Sequence, residues 1–294
     1  MTIMQALNWG REQLKATENE KHFGKSNTML DAQVLLACCI NKPTAYLFTH
    51  FDDPVYDPVL EQFQDFIRRR AAHEPIAYIV GEKEFYSRDF KVTSDVLIPR
   101  PETEIMIDIA KESVRPDSMI IDVGTGSGAI AVTLAAETGL PLVAADISEG
   151  ALEVARQNAA RHGVEHLISF MQGNLLEPFF ERNVKISQEQ HALICANLPY
   201  IRIARWQFLD PDVRDFEPKN ALIGGVDGLE FYRDLMRQIR ENRDVFPAEV
   251  HILIEIDPSQ ELSAPAMVRE YFPSAETEVA RDLAGLPRIV IVKL

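Results

Sequence analysis

Along the first seventy or so residues, apolar positions recur three and four apart, the period of a helix that buries one side. Leu30, Val34, Leu35 and Cys38 form one such set, with Asn27 or Thr28 as its cap and Pro43 just past its end. Asp57 and Pro58 provide an N-cap and first turn for a second set, Val59, Leu60, Phe63, Phe66 and Ile67. Arg68, Arg69 and Arg70 close that helix with charge of the favourable sign for a C-terminus. The texture changes at Ile76. The run from Ile76 to Gly81 leads into Glu84-Phe85-Tyr86, a polar turn at Ser87-Arg88-Asp89, and Phe90-Lys91-Val92-Thr93, which predicts a β-hairpin. Pro101 and Glu102 then open a helix through Ile105, Ile109 and Ala110.

Beyond that helix, short apolar runs alternate with helical periods. Strands are expected at 119–122, 142–146, 167–171, 192–196 and 251–256, with 276–280 and 288–292 closing the sheet. Ser148 caps a helix that carries Leu152, Ala155 and Ala159 and stops at Gly163. Strands alternating with helices predict an α/β fold with a mainly parallel, doubly wound sheet. The expected organisation is a helical domain over residues 1–75, a hairpin linker over 76–98 and an α/β domain over 99–294.

Composition narrows this picture. The 294 residues are 46% hydrophobic and 26% charged, enough for one large or two modest cores. No apolar stretch is long enough to span a bilayer, and Met1-Thr2-Ile3-Met4-Gln5 lacks the basic start of a signal peptide. Cys38, Cys39 and Cys195 lie in apolar runs, form no disulfide framework and read as small core residues of a cytoplasmic protein. A net charge of −15 argues against a protein that clamps nucleic-acid phosphates.

Two stretches carry candidate chemistry, both at ends of expected strands, where open α/β sheets bind ligands. The first is the glycine-rich turn Gly124-Thr125-Gly126-Ser127-Gly128, preceded by Asp122. Its spacing is G-x-G-x-G, not the G-x-G-x-x-G of dinucleotide binders. Asp146 ends the next strand, where a carboxylate accepts hydrogen bonds from ribose hydroxyls. Loop and acid together point to a nucleoside-containing ligand without saying which; a turn or helix-capping role is the plainer reading of Asp146. The second stretch is Asn197-Leu198-Pro199-Tyr200. Asn197 offers a side-chain carbonyl, Leu198 a backbone carbonyl biased to an extended conformation by Pro199, and Tyr200 a flat face. Two convergent acceptors beside an aromatic plane suit a planar group that bears an NH2.

These residues carry a resemblance. Asp122 to Gly128 with Asp146 looks like the S-adenosylmethionine site of class I methyltransferases, and Asn197 to Tyr200 is similar to the N-P-P-Y signature of amino methyltransferases. Gly81-Glu82-Lys83-Glu84-Phe85-Tyr86, the stretch from Ile98 to Glu104, Phe216-Glu217-Pro218, the stretch from Gly224 to Leu229, and Asp282-Leu283-Ala284-Gly285 resemble, in order, one family. That family is the bacterial release factor glutamine methyltransferase, also called HemK or PrmC. The resemblance implies a helical N-terminal domain, a hairpin linker and a Rossmann-like methyltransferase domain. It implies methylation, from S-adenosylmethionine, of the side-chain amide nitrogen of the glutamine in the Gly-Gly-Gln loop of peptide chain release factors. It assigns Asn197, Leu198, Pro199 and Tyr200 to the substrate. The cofactor falls to Asp122, Gly124, Thr125, Gly126, Ser127, Gly128, Asp146, Ile147, Asn174, Leu175 and Asn197, with Leu175 beside the adenine.

Two positions depart from the family pattern. Leu198 stands where the family has its first proline, which restores an N–H. Asn174 stands where relatives usually have Asp, and Asn can donate as well as accept. No metal is implied. The expected partner is a release factor, with no direct nucleic-acid contact and no membrane, and a monomer is expected. Tyr200 is expected to pack on the amide plane, and Glu255 to be structural. The rivals are a ribosomal-protein glutamine methyltransferase, a DNA adenine N6-methyltransferase that flips its base, and a non-enzymatic nucleotide-binding module, which has no use for the Asn197–Tyr200 corner.

Overall fold

The computed structural model describes residues 1–17, 27–182, 184, 186–187 and 190–294. The chain divides into two compact units, Met1–Glu82 with Phe208–Phe216, and Lys83–Gln207 with Glu217–Leu294. No helix among the described residues is long and apolar enough to cross a membrane.

In the first unit, helices Ile3–Thr17, Thr28–Cys39 and Asp57–Ala71 surround a core of Leu7, Leu14, Leu35, Leu36, Phe63 and Ile67. Asn27 is the cap expected from sequence, its side chain accepting from Leu30 N at 3.2 Å. Asp57 lies inside its helix, and Tyr56 stands at the cap position without a side-chain bond. The three arginines part company. Arg68 pairs with exposed Asp65, Arg69 with Glu74, and Arg70 turns into the core, its Nε donating to Asp31 Oδ2 at 2.9 Å. Arg70 also meets Asp212 Oδ2 at 4.0 Å and donates to Glu74 O at 3.3 Å, so Asp31 is its nearest partner and not its only one. Asp31→Ala is therefore expected to lower stability by about 2 kcal/mol, the loss of one charge-assisted hydrogen bond, read as a shift of the urea unfolding midpoint.

The stretch expected to lead into the hairpin is instead a short helix, Ile76–Val80, ending at Gly81. A five-residue apolar run fits either state, and burial of Ile79 in the helical core decides it. The hairpin itself pairs β1 (Glu82–Phe85) with β2 (Arg88–Lys91). Its turn is Tyr86-Ser87, not the expected 87–89, and both residues have positive φ (50° and 57°). That is the backbone of a two-residue hairpin turn, whose twist matches the strands.

The second unit holds a seven-stranded sheet: β3 (Met119–Val123), β4 (Leu142–Asp146), β5 (Ile168–Gln172), β6 (His191–Ala196), β7 (Glu249–Glu255), β8 (Glu276–Arg281) and β9 (Pro287–Lys293). The order is β5-β4-β3-β6-β7-β9-β8, with β3 to β7 parallel and the last two antiparallel. Central strands read as unbroken apolar runs because both faces are covered. Ile121, Val123, Ile194 and Ile254 pack towards helices Glu230–Glu241 and Ser263–Tyr271, while Ile120, Leu142, Leu193 and Leu253 pack on the other face with helices Glu104–Ser113 and Ala129–Thr138. Cys195 is buried in β6; Cys38 and Cys39 are only half-buried, and all three are free thiols. β8 forms an edge, with Glu276, Glu278 and Arg281 exposed and a register shift between Ala280 and Arg281. The strand order turns back between β3 and β6, which places a crevice at their carboxyl ends.

Candidate active site

The loops leaving β3, β4, β5 and β6 wall a cavity of about 260 Å³. Of the residues singled out from sequence, Gly124, Thr125, Gly126, Ser127, Asp146, Ile147, Asn174, Leu175, Asn197, Leu198 and Pro199 line it. Asp122, Gly128 and Tyr200 stand behind the wall.

The glycine loop is shaped by groups beneath it. Gly124 N and Thr125 N both donate to Ala145 O, at 2.8 and 3.0 Å. Asp122 is fully buried, and its Oδ2 accepts from Thr125 Oγ1 at 2.7 Å and Ala131 N at 3.2 Å. Its Oδ1 has no hydrogen bond among the described residues, and burial pushes the carboxyl up to about 7 against those two bonds. Gly128 packs on the helix Glu149–Arg161, where a Cβ would lie 3.1 Å from that of Ala155. Asn158 on that helix ties the loop to the hairpin: its Nδ2 donates to Ser127 O at 2.8 Å and its Oδ1 accepts from Lys91 N at 2.7 Å.

Asp146 joins loop and strand end. Oδ2 accepts from Gly126 N and Oδ1 from Ser148 N, both at 2.9 Å, and burial raises its pKa against these bonds. Each carboxylate oxygen has a second lone pair, so the group can still accept from a bound diol. After β5, Asn174 Nδ2 donates to Glu177 Oε1 at 2.9 Å, which leaves the Asn174 carbonyl as the acceptor for a ligand. Leu175 adopts a left-handed φ of 54°, and the turn is secured by Leu176 N donating to buried Gln238 Oε1 at 2.9 Å. A left-handed non-glycine residue costs about 1–2 kcal/mol and marks a held conformation.

At the corner after β6, the extra N–H of Leu198 is used: it donates to Tyr232 Oη at 3.1 Å. The Tyr232 hydroxyl in turn donates to Glu255 O at 2.5 Å, and Leu198 O lies 3.3 Å from the same oxygen. The Leu198 side chain is buried against Gly124, where a Cβ would come within 2.8 Å of its Cδ2. Asn197 Nδ2 donates to Thr103 Oγ1 at 3.2 Å. Tyr200 is half-buried against the core and donates to Glu255 Oε1 at 3.2 Å; the aromatic side chains on the cavity wall are Phe231 and Phe85. Arg100 also lines the cavity and is fixed by Glu217, whose Oε1 it meets at 2.5 Å while Ile98 N donates to Oε2 at 3.2 Å.

Sequence reasoning missed Asn158, Phe231, Tyr232 and Gln238, and took Thr103 and Glu217 only as parts of motifs. Thr103 and Glu217 sat within the motifs that carried the resemblance. Asn158 and Gln238 are buried polar residues on helices, a pattern that calls for partners, but their partners lie 67 and 62 residues away.

Sheet order, glycine loop and strand-end acid define a class I methyltransferase domain. A methyltransferase domain model matches residues 115–201 and a PrmC N-terminal domain model matches residues 5–81. The fold is shared with the delta-N METTL16 MTase domain, 13% identical, covering 69% of this chain and 86% of that one at a TM-score of 0.52. Over 300 residues, covering 100% of both chains, this protein is 32% identical to a release factor glutamine methyltransferase of Bacillus anthracis. It is 37% identical to that of Nitratidesulfovibrio vulgaris over 99% of this chain and 95% of the relative, and 35% identical to that of Bacillus subtilis over 98% and 96%. The chain belongs to the release factor glutamine methyltransferase family.

Proposed function

We propose that this protein transfers a methyl group from S-adenosylmethionine to the side-chain amide nitrogen of the glutamine in the Gly-Gly-Gln loop of peptide chain release factors. The observation that carries the reading is that Asn197, Leu198 and Pro199 line the same cavity as the glycine loop and Asp146. A corner suited to an NH2-bearing plane thus faces a cradle suited to a nucleoside.

The residues present fit the cofactor. A Cβ on Gly126, which lines the cavity with φ 55°, would meet no protein atom within 4 Å, so the loop leaves open space above its backbone. Asp146 would hold ribose hydroxyls, Asn174 Oδ1 the adenine amino group, and Leu175 and Ile147 the adenine faces. When bound, the cofactor supplies an electrophilic methyl on a sulfonium. An amide nitrogen is a poor nucleophile because its lone pair is delocalised, so the chain's task is positioning. Asn197 Oδ1 and Leu198 O accept the two amide hydrogens, which aims the nitrogen and favours its loss of planarity; as the N–C bond forms the thioether S-adenosylhomocysteine leaves, and the proton lost from the methylated nitrogen passes to solvent. Phe231 and Phe85 exclude water, and Tyr200 braces the corner through Glu255.

In this reading, residues 1–75 recognise the release factor, 76–98 link, and 99–294 carry the chemistry. The enzyme acts as a cytoplasmic monomer without touching nucleic acid. The test is incubation with labelled S-adenosylmethionine and purified release factor, wild type against a Gln→Ala change in its Gly-Gly-Gln loop. Label on the wild type alone is expected, and label on both or on neither overturns the proposal.

Asp146→Ala is expected to weaken cofactor binding about ten- to a hundredfold, since a charge-assisted bond contributes roughly 1.5–3 kcal/mol. Calorimetry with S-adenosylhomocysteine measures it, and unchanged affinity removes Asp146 from the site.

A further inference from the structure

The Asn197 amide is held in one of its two orientations by hydrogen bonds that run from the cavity wall into the sheet. Glu255, the last residue of β7, is 1% exposed. Its Oε2 accepts from Thr103 Oγ1 at 2.6 Å and its Oε1 from the Tyr200 hydroxyl at 3.2 Å. A threonine hydroxyl has one hydrogen. With that hydrogen on Glu255, Thr103 Oγ1 can only accept from its other neighbour, which is Asn197 Nδ2. The NH2 of Asn197 therefore faces Thr103, and Oδ1 is left uncommitted within the described residues.

We propose that Thr103 and Glu255 are positioning residues that set the orientation of the Asn197 amide, and that a proton on Glu255 reverses the chain of hydrogen bonds. The inference rests on the reading of Asn197 as acceptor for a substrate amide hydrogen. Ionised Glu255 accepts from both hydroxyls. Once it takes a proton from solvent on Oε2, it donates to Thr103. The Thr103 hydrogen then needs an acceptor, and Asn197 meets it by turning Oδ1 away from the substrate.

The surroundings place this change near neutrality. Arg288 on β9 favours the ionised form, as do the bonds from Thr103 and Tyr200, while Glu102 beside Thr103 opposes it. The Tyr232 hydroxyl meets Glu255 at its backbone carbonyl, not at its carboxylate. Arg288 is shared with Asp282 at 2.8 Å and Glu102 at 3.8 Å, and burial outweighs it, pushing Glu255 up to about 7. Activity governed by this carboxyl rises with pH through neutrality, because the ionised form is the one that orients Asn197.

Two measurements test the proposal. In the first, Thr103→Val keeps the side-chain shape and removes the hydroxyl. It is expected to lower kcat for release factor methylation about ten- to a hundredfold while leaving KM and S-adenosylhomocysteine affinity unchanged, and Thr103→Ser restores the rate. A Thr103→Val enzyme that binds cofactor and keeps the wild-type kcat overturns the proposal. The second does not depend on methyl transfer: the nitrogen-15 signal of the Asn197 side chain, assigned by its loss in Asn197→Ala, is followed across neutral pH. It is expected to titrate in the wild type and to stay constant in Glu255→Gln; a signal that does not titrate, or titrates equally in Glu255→Gln, overturns it. Should the wild type leave release factor unlabelled while the Asn197 signal titrates, the functional reading falls and the relay stands.

Discussion

Asn197→Ala is expected to lower single-turnover methyl transfer at saturating cofactor by about a hundredfold or more, the usual loss when one preorganised group is removed from a transition-state site. The side chain is the only source of its acceptor, and while Glu255 is ionised the Nδ2 bond to Thr103 Oγ1 leaves Oδ1 facing the cavity. Leu198→Ala is the comparison. It keeps the backbone carbonyl and is expected to lose far less turnover, although emptying the space over Gly124 lowers stability by about 2 kcal/mol. From sequence alone, proline at 198 looks harmless. The structure changes that expectation, because Leu198→Pro deletes the N–H that Tyr232 receives at 3.1 Å and the side chain that covers Gly124. Near wild-type turnover for Asn197→Ala would remove the corner from the mechanism. Equal damage from Leu198→Ala would instead assign a role to the leucine side chain.

The second large effect lies under the corner, not in it. At Gly224 a Cβ would stand 2.1 Å from Pro199 O and 2.9 Å from both Pro199 C and Gly228 O. These are backbone atoms and cannot swing aside. Gly224 is also bonded into place, its N donating to Ile201 O at 2.9 Å while Ile201 N donates to Leu222 O at 2.9 Å. Gly224→Ala is therefore expected to cost about 3 kcal/mol and to push the Pro199 backbone out of register, so thermal stability and methyl transfer fall together. Gly163→Ala is the control. Its φ is +70° but nothing lies within 4 Å of the added Cβ, so about 1 kcal/mol of backbone strain is all that is expected. Equal Tm shifts for the two variants would show that close approach at Gly224 does not matter.

The parts of the fold legible in sequence are those set by local period. Each sheet strand was placed to within two residues, because runs such as 192–196 are apolar and bounded by polar turns. Ser148 and Asn27 announced their helices through the cap bonds they make. The short helix Ile76–Val80 was missed because one turn of helix and one short strand bury the same apolar residues. The hairpin turn was displaced because Tyr86 and Ser87 are not the residues usually found at positive φ. Tyr86 is held there by long-range bonds, its N donating to Glu104 Oε1 at 2.9 Å and its hydroxyl to Asp108 Oδ1 at 2.8 Å.

The site divides in the same way. Residues at strand ends were visible, since topology alone puts them at the crevice. What holds them was not: the Thr103–Glu255 bond spans 152 residues and the Leu198–Tyr232 bond 34, and no spacing rule connects such pairs. Tyr200 shows the limit of reading a motif without its surroundings. Its flat ring suggested a wall for the substrate, yet its hydroxyl is spent on buried Glu255, and Phe231 and Phe85 are the aromatic side chains that line the cavity.

The outer strand β8 has a bearing on how these molecules treat one another at high concentration. A sheet border exposes unpaired N–H and C=O groups, a template on which another chain can add a strand and start aggregation. Here Glu276 and Glu278 put negative charge along that border, Arg281 ends it, and the register shift beside Ala280 twists it out of line. A second copy approaching edge to edge would set Glu276 and Glu278 against their own counterparts, a pairing that like charges disfavour. Resistance to edge-to-edge association is thus a property of β8, whose Ala280 lies across β9 from Glu255.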